Sequence, residues 1–318
     1  MKRIVGWSSQ FSPHISSQLL IPHACRDAAP TLLSINRFEP KKDVALAIEA
    51  FALARVEHPD LRLVLAGESE YIRFMLAATD SAISGGFDPR LASNVATLTL
   101  LQELAADSSL SFYTYSPSSF AQKDAIPLSS SLISSHPPPA KTPAQILFLL
   151  NITQSQKTLL LNDAKTLCLL YTPSNEHFGI VPLEGMLAKL PIVASKSGGP
   201  LETIVDEGLD SPATTGFLVV PSPKTWASAL VDLLLAPESR RREMGEKGRA
   251  RVIAKFSAEQ MSIEFERACE DVRAIKTSIL AEQGATKMMA FIVIGAFCIT
   301  SGVVASIAGF RELDVSPK

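Results

Sequence analysis

Tyr171-Thr172-Pro173-Ser174-Asn175-Glu176-His177-Phe178-Gly179-Ile180-Val181-Pro182-Leu183-Glu184 links an apolar run to a helix-like one, with two glutamates bracketing a glycine. Leu167 to Tyr171 is short, apolar and closed by Thr-Pro-Ser-Asn, the pattern of a buried parallel strand passing into a loop. A helix is expected from Pro182, which puts Glu176 in the loop and Glu184 in the first helical turn. In open α/β sheets ligands sit outside the carboxyl ends of strands, where the following helix also offers unpaired N–H groups. A carboxylate there accepts two hydrogen bonds from a vicinal diol, and sugar and ribose hydroxyls are such diols. Taken alone, Glu184 reads equally well as a helix-dipole or capping residue, and Glu176 as a solvated loop residue.

Two more strand-to-loop passages have the same character. Leu32 to Asn36 is an apolar strand, Arg37, Lys41 and Lys42 follow in a loop, and a helix with Val44, Leu46, Ile48, Phe51 and Leu53 on its apolar positions starts at Asp43, the expected N-cap. Cations at a strand end can neutralise a diphosphate, arginine as a fork and lysine as a point charge, although a basic pair in a loop is more often simply solvated. In Pro191 to Glu202, a strand gives way to Ser197-Gly198-Gly199-Pro200 and another helix. Gly198 and Gly199 allow close approach of either a ligand or another stretch of backbone. His177 has no Cys or His partner at ligand spacing, so no metal is expected.

The segment from Glu176 to Glu184 resembles the two-glutamate signature of retaining glycosyltransferases built from two Rossmann-like domains, the GT-B fold. SNEHFGIVPLE and SGGPLETI are similar to the dolichyl-linked mannosyltransferase branch of that family. The resemblance covers Thr31 to Gly67, Gly86 to Leu104 and Ala164 to about Phe256. It implies transfer of mannose from GDP-mannose to a dolichyl-diphosphate-linked oligosaccharide, in alpha-1,3 and alpha-1,6 linkages, during precursor assembly for protein N-glycosylation. The place implied is the endoplasmic reticulum membrane, with the catalytic domain on the cytosolic side beside other glycosyltransferases of the pathway.

Residue by residue, Arg37 and Lys42 match the family's grip on the donor phosphates, Glu176 its sugar-positioning glutamate and Glu184 its ribose glutamate. Lys41 has no counterpart and is expected to be a solvated neighbour. The backbone N–H groups of Phe178, Gly179 and Ile180 are expected to reach sugar or phosphate, and Gly198 and Gly199 to lie beside the donor pocket. No cofactor or metal is implied beyond GDP-mannose as substrate.

Two departures from the family stand out. About thirty residues precede the first strand, so the family's amino-terminal acceptor domain is expected to be missing; an inactive, membrane-anchored nucleotide-sugar-binding fragment or scaffold is therefore the alternative function. Residues 68–84 also interrupt a Gly-Gly-Phe-Asp-Pro-Arg run that in the family follows Leu65-Ala66 almost directly, as an untranslated segment read through would.

The remaining sequence fits an α/β enzyme of 318 residues with formal net charge −2, which gives no electrostatic case for nucleic acid. The expected architecture is a doubly wound parallel sheet over 31–281, after an atypical leader at 1–30 that lacks a signal peptide's apolar stretch. Strands are expected at Leu61–Ala66 and Ser111–Tyr115, helix at Leu91–Ala105 and helix-rich chain from Lys224 to about Ala281. Residues 116–143 are Ser/Pro-rich and read as a disordered surface insertion. A G-x-G-x-x-G after the first strand is absent, against dinucleotide use.

The four scattered cysteines form neither a disulfide framework nor a zinc site. Asn151-Ile152-Thr153 is a glycosylation acceptor that a cytosol-facing domain would leave unmodified. Met288 to Phe310 is uncharged and long enough to span a membrane as a helix, while Lys287 before it and Arg311 after it balance, so the positive-inside rule assigns no orientation.

Overall fold

The computed structural model describes residues 29–68, 86–116 and 144–311, in two compact units, Met1–Ile253 and Ala254–Lys318. Most of the leader, most of the interrupting segment and nearly all of the Ser/Pro-rich insertion thus lie outside the described residues.

Among the described residues, the first unit holds seven strands: β1 (Thr31–Ile35), β2 (Arg62–Glu68), β3 (Phe112–Tyr115), β4 (Ile146–Ile152), β5 (Thr166–Tyr171), β6 (Ile192–Ser195) and β7 (Gly216–Val219). All pair in parallel, in the order β3-β4-β2-β1-β5-β6-β7. From β1 the chain passes to β2, crosses to the β3 edge and returns to fill β4 between them, then resumes with β5 on the other side of β1, so the strand order reverses between β1 and β5. Parallel sheets are covered on both faces, which is why β1 and β4 are buried along their whole length and are mostly apolar, broken only by Thr31 and Ser34 in β1 and Asn151 in β4.

The covering helices are α1 (Val44–Ala54), α2 (Ala92–Asp107), α3 (Gln154–Leu161), α4 (Ile180–Leu187), α5 (Pro200–Thr203), α6 (Pro223–Leu235) and α7 (Glu238–Phe256). Helix α1 buries Val44, Leu46, Ala47, Ile48, Phe51 and Ala54, and α6 buries Trp226, Ala227, Leu230 and Leu233 at helical spacing. At the β2/β4 side the rings of Phe38, Phe87, Phe112 and Phe148 stack edge to face or tilted, with centroids 5.8–6.4 Å apart.

The chain leaves β2 at Glu68 and is back at the same point at Gly86. A Cβ on Gly86 would lie 2.7 Å from the Gly67 carbonyl carbon, and one on Gly67 2.9 Å from the Phe38 ring. The Phe38 N–H also donates to the Gly86 carbonyl at 3.1 Å. Gly67 and Gly86 therefore adjoin in space although a long segment separates them in sequence.

Two local expectations are corrected. Helix α4 starts at Ile180 rather than Pro182, because Gly179 adopts φ 78° and caps it, so Glu184 falls in the second turn and is no capping residue. Asp43 does precede α1, but a 3₁₀ turn at Pro40–Lys42 drives it to φ 46° and its carboxylate makes no cap hydrogen bond. Burial raises the Asp43 pKa.

In the second unit α8 (Ala258–Arg311) is continuous through the uncharged stretch, with Met288, Met289, Phe291, Ile292, Val293 and Ile294 exposed. Among the described residues, one helix is long and apolar enough to cross a membrane by length and composition.

Candidate functional site

The carboxyl ends of β1 and β5, the pair at which strand order reverses, bring the expected residues together. Lys42 follows β1 and is buried at 8% exposure, yet its ammonium donates to Glu176 Oε1 in the loop after β5. A lysine is almost never buried without a partner, and the partner here lies 134 residues away. Buried hydroxyls lock the geometry. Thr172 Oγ1 donates to the Lys42 carbonyl at 2.7 Å, and Ser195 Oγ at the end of β6 donates to the Thr172 carbonyl at 2.6 Å.

Arg37 lies on the rim instead, half exposed, paired with Glu39 at 3.2 Å; Lys41 is paired with the other oxygen of Glu39 at 3.4 Å and is well exposed, as expected. Lys42 is thus built into the fold, whereas Arg37 is held only by a surface ion pair of the kind worth about 0–1 kcal/mol.

The loop carrying Glu176 is held by the glycine turn after β6. The Gly199 N–H donates to the Glu176 carbonyl at 2.8 Å, and Ser197 Oγ exchanges two 2.9 Å hydrogen bonds with Asn175. A Cβ on Gly198 or Gly199 would overlap the Glu176 or Phe178 carbonyl. The space these glycines clear is filled by protein, which favours backbone packing as their reason. Gly179 is bounded by the Tyr171 hydroxyl, 2.8 Å from where its Cβ would be. Burial, reinforced by Glu176, pushes the Tyr171 pKa well above the usual phenol value. Phe178, Ile180 and His177 are exposed.

Glu184 accepts a 2.6 Å hydrogen bond on Oε1 from Lys157, and its Oε2 is buried with no partner. Lys157 also donates to Glu68 Oε2 at 2.8 Å. Burial alone would lower the Lys157 pKa, but the hydrogen bonds and charges of Glu184 and Glu68 outweigh it and the net direction is upward.

Sequence reasoning missed Lys157, and its position has a local origin. One residue before the end of strand β4, Asn151 adopts φ 53°, and its amide bonds both the N–H and the carbonyl of Phe87 at 2.8 Å. Helix α3 then opens with a capping box between Thr153 and Gln156, which points the next residue back over the sheet end. The Thr-x-x-Gln box after an apolar strand was the available signal. Glu68, Thr172 and Ser195 were also unforeseen.

Against known proteins, the model of the glycosyl transferases group 1 matches residues 22–81 and 140–251, more than half of the chain. The chain belongs to that family. Among relatives of this group 1 chain, the alpha-1,3/1,6-mannosyltransferase ALG2 of Saccharomyces cerevisiae is 40% identical over 243 residues, which are 76% of this chain and 42% of the relative. The ALG2 of Rhizomucor pusillus is 38% identical over 248 residues, 76% and 47% of the two chains.

The chain thus spans about half the length of the curated relatives it matches. The sucrose-phosphate synthase from Thermosynechococcus elongatus superposes with TM-score 0.51 at 20% identity, over 78% of this chain and 46% of that one, a likeness of fold. The expected doubly wound donor-domain architecture of a group 1 glycosyl transferase is what the sheet displays.

Proposed function

We propose that this chain supplies the donor-binding half of an alpha-1,3/1,6-mannosyltransferase that moves mannose from GDP-mannose to a dolichyl-diphosphate-linked oligosaccharide. The observation that carries the reading is the buried Lys42 bonded to Glu176 at the β1/β5 reversal, together with a Glu184 oxygen that has no partner. The relatives' names supply the activity, and these residues supply the means.

In this reading the donor diphosphate takes the Lys42 ammonium from Glu176, with Arg37 swinging in from the rim. Charge that develops on the departing GDP is met by those two cations and by the N–H groups of Phe178, Gly179 and Ile180 at the start of α4, with no metal required. Glu176, freed of Lys42, accepts hydrogen bonds from mannose hydroxyls and orients the sugar; Glu184 holds the ribose. No side chain acts as a covalent nucleophile. Gly198 and Gly199 keep the Glu176 loop seated against the pocket. The apolar part of α8 anchors the chain in the endoplasmic reticulum membrane, the donor domain faces the cytosol, and other glycosyltransferases of the pathway are its neighbours.

Isothermal titration of GDP into the full chain in detergent tests the pocket. Saturable binding, strengthened by the mannosyl group, is expected; a folded chain that takes up no GDP overturns the reading. The catalytic part is tested by transfer from labelled GDP-mannose to a dolichyl-diphosphate-linked acceptor.

A further inference from the structure

Lys157 is 3% exposed at the start of α3, with its ammonium between carboxylates on two other elements: Glu184 on α4 at 2.6 Å and Glu68 at the end of β2 at 2.8 Å. Burying an ammonium is costly unless opposite charge and hydrogen bonds surround it, and a lysine that served only its own helix would carry its head out to water. The pairing is also one-sided. It occupies Oε1 of Glu184 and leaves Oε2 buried without a donor, a standing cost that a ligand hydroxyl at that point removes.

We infer that Lys157 is the positioning residue for nucleoside recognition here. It fixes the orientation of Glu184 so that Oε2 faces the ribose diol of a nucleoside diphosphate, and it thereby sets discrimination between ribose and deoxyribose. The inference rests on the donor-pocket reading of Glu184 given above. Without the ammonium, Glu184 and Glu68 become two carboxylates with no cation between them. They repel, and Glu184 turns out of its present orientation. A charged acceptor held in place separates ligands with and without a hydroxyl far better than one that swings, because the missing hydrogen bond leaves a desolvated carboxylate unpaired.

The test is calorimetric titration of the full chain in detergent with GDP and with 2′,3′-dideoxy-GDP. Wild type should prefer GDP by roughly tenfold or more, the expected size for a hydrogen bond to a charged group. Lys157→Met should reduce the preference to about threefold or less by weakening GDP, with the dideoxy affinity little changed. Glu184→Gln should do the same, and the double variant no more. Lys157→Arg, which keeps charge and donors, should retain part of the preference.

A Lys157→Met protein that melts lower but keeps the full preference overturns the inference, since a purely structural lysine lowers stability without touching the ratio. Should Lys157→Met not fold, Lys157→Gln is the reporter: a reduced preference supports the inference and an unchanged one sinks it. Wild type that binds both nucleotides equally overturns the inference while the donor pocket survives; wild type that binds neither removes the donor pocket itself.

Discussion

Lys42→Ala is the sharpest probe of the donor site, because the side chain removed is buried and its partner is known. Two effects follow with different readouts. The first falls on the ligand. An ammonium donating to a diphosphate oxygen is worth about 1.5–3 kcal/mol, roughly ten- to a hundredfold in GDP affinity. Glu176 then faces the diphosphate unneutralised, which adds repulsion of about 1–4 kcal/mol between the limits of bulk water and the effective dielectric near a protein surface.

The second effect falls on the fold. The Glu176 side chain retains 27% exposure, so water can take over part of what Lys42 provided. The loss of stability should therefore be about 1–2 kcal/mol, short of the 3–5 for a wholly buried pair broken on one side. Pairing Lys42→Ala with Glu176→Gln should recover the repulsive part of the affinity loss but not the ammonium's own contribution. Calorimetry with GDP gives the affinities and a denaturant series the stability. An unchanged GDP affinity in a folded Lys42→Ala protein would mean that the diphosphate is bound elsewhere.

Gly199→Ala should dislodge the Glu176 loop, because its Cβ overlaps the Phe178 carbonyl, costing about 1–3 kcal/mol of stability and weakening GDP; a normal melt would show that the turn relaxes freely. The hydrogen bond from the Arg90 side chain holds the Asp88 pKa below the usual carboxylate value, against the opposing effect of burial. This contribution is present above the unfolded-state pKa near 3.9 and is lost as pH falls through the folded value, so Asp88→Asn should flatten the acid limb of a stability-against-pH curve below about pH 4. The protein should stay in the membrane pellet after alkaline carbonate extraction, and release to the supernatant would remove the proposed anchor.

The fold was legible where burial on both faces makes a strand largely apolar, as in β1 and β5, whereas β4 was not foreseen. It was less legible where backbone conformation decides. Pro182 looked like the first residue of α4, but a glycine wedged against Tyr171 starts the helix two residues earlier, which moves Glu184 from the first turn into the second. Asp43 has an N-cap's position without its hydrogen bond, since the preceding 3₁₀ turn sets its φ. Lys42 was singled out correctly, but nothing local foretold that its ammonium meets Glu176, a contact spanning 134 residues. Lys157 was passed over because a lone lysine near the start of a helix normally points to water, and only the arrival of Glu184 and Glu68 at the same sheet end reverses that.

The Asn151 amide, seated between the N–H and the carbonyl of Phe87, bears on which side of a membrane this domain can be made. An oligosaccharyltransferase acting on the emerging chain would attach its sugar to the Asn151 nitrogen that must donate to Phe87. A glycan there would need room around a residue that is only 9% exposed. Molecules threaded into a glycosylating lumen would thus be marked at a position that must be bare for the sheet to close. The buried seat of its amide against Phe87 sets the Asn151 acceptor at odds with carrying a glycan.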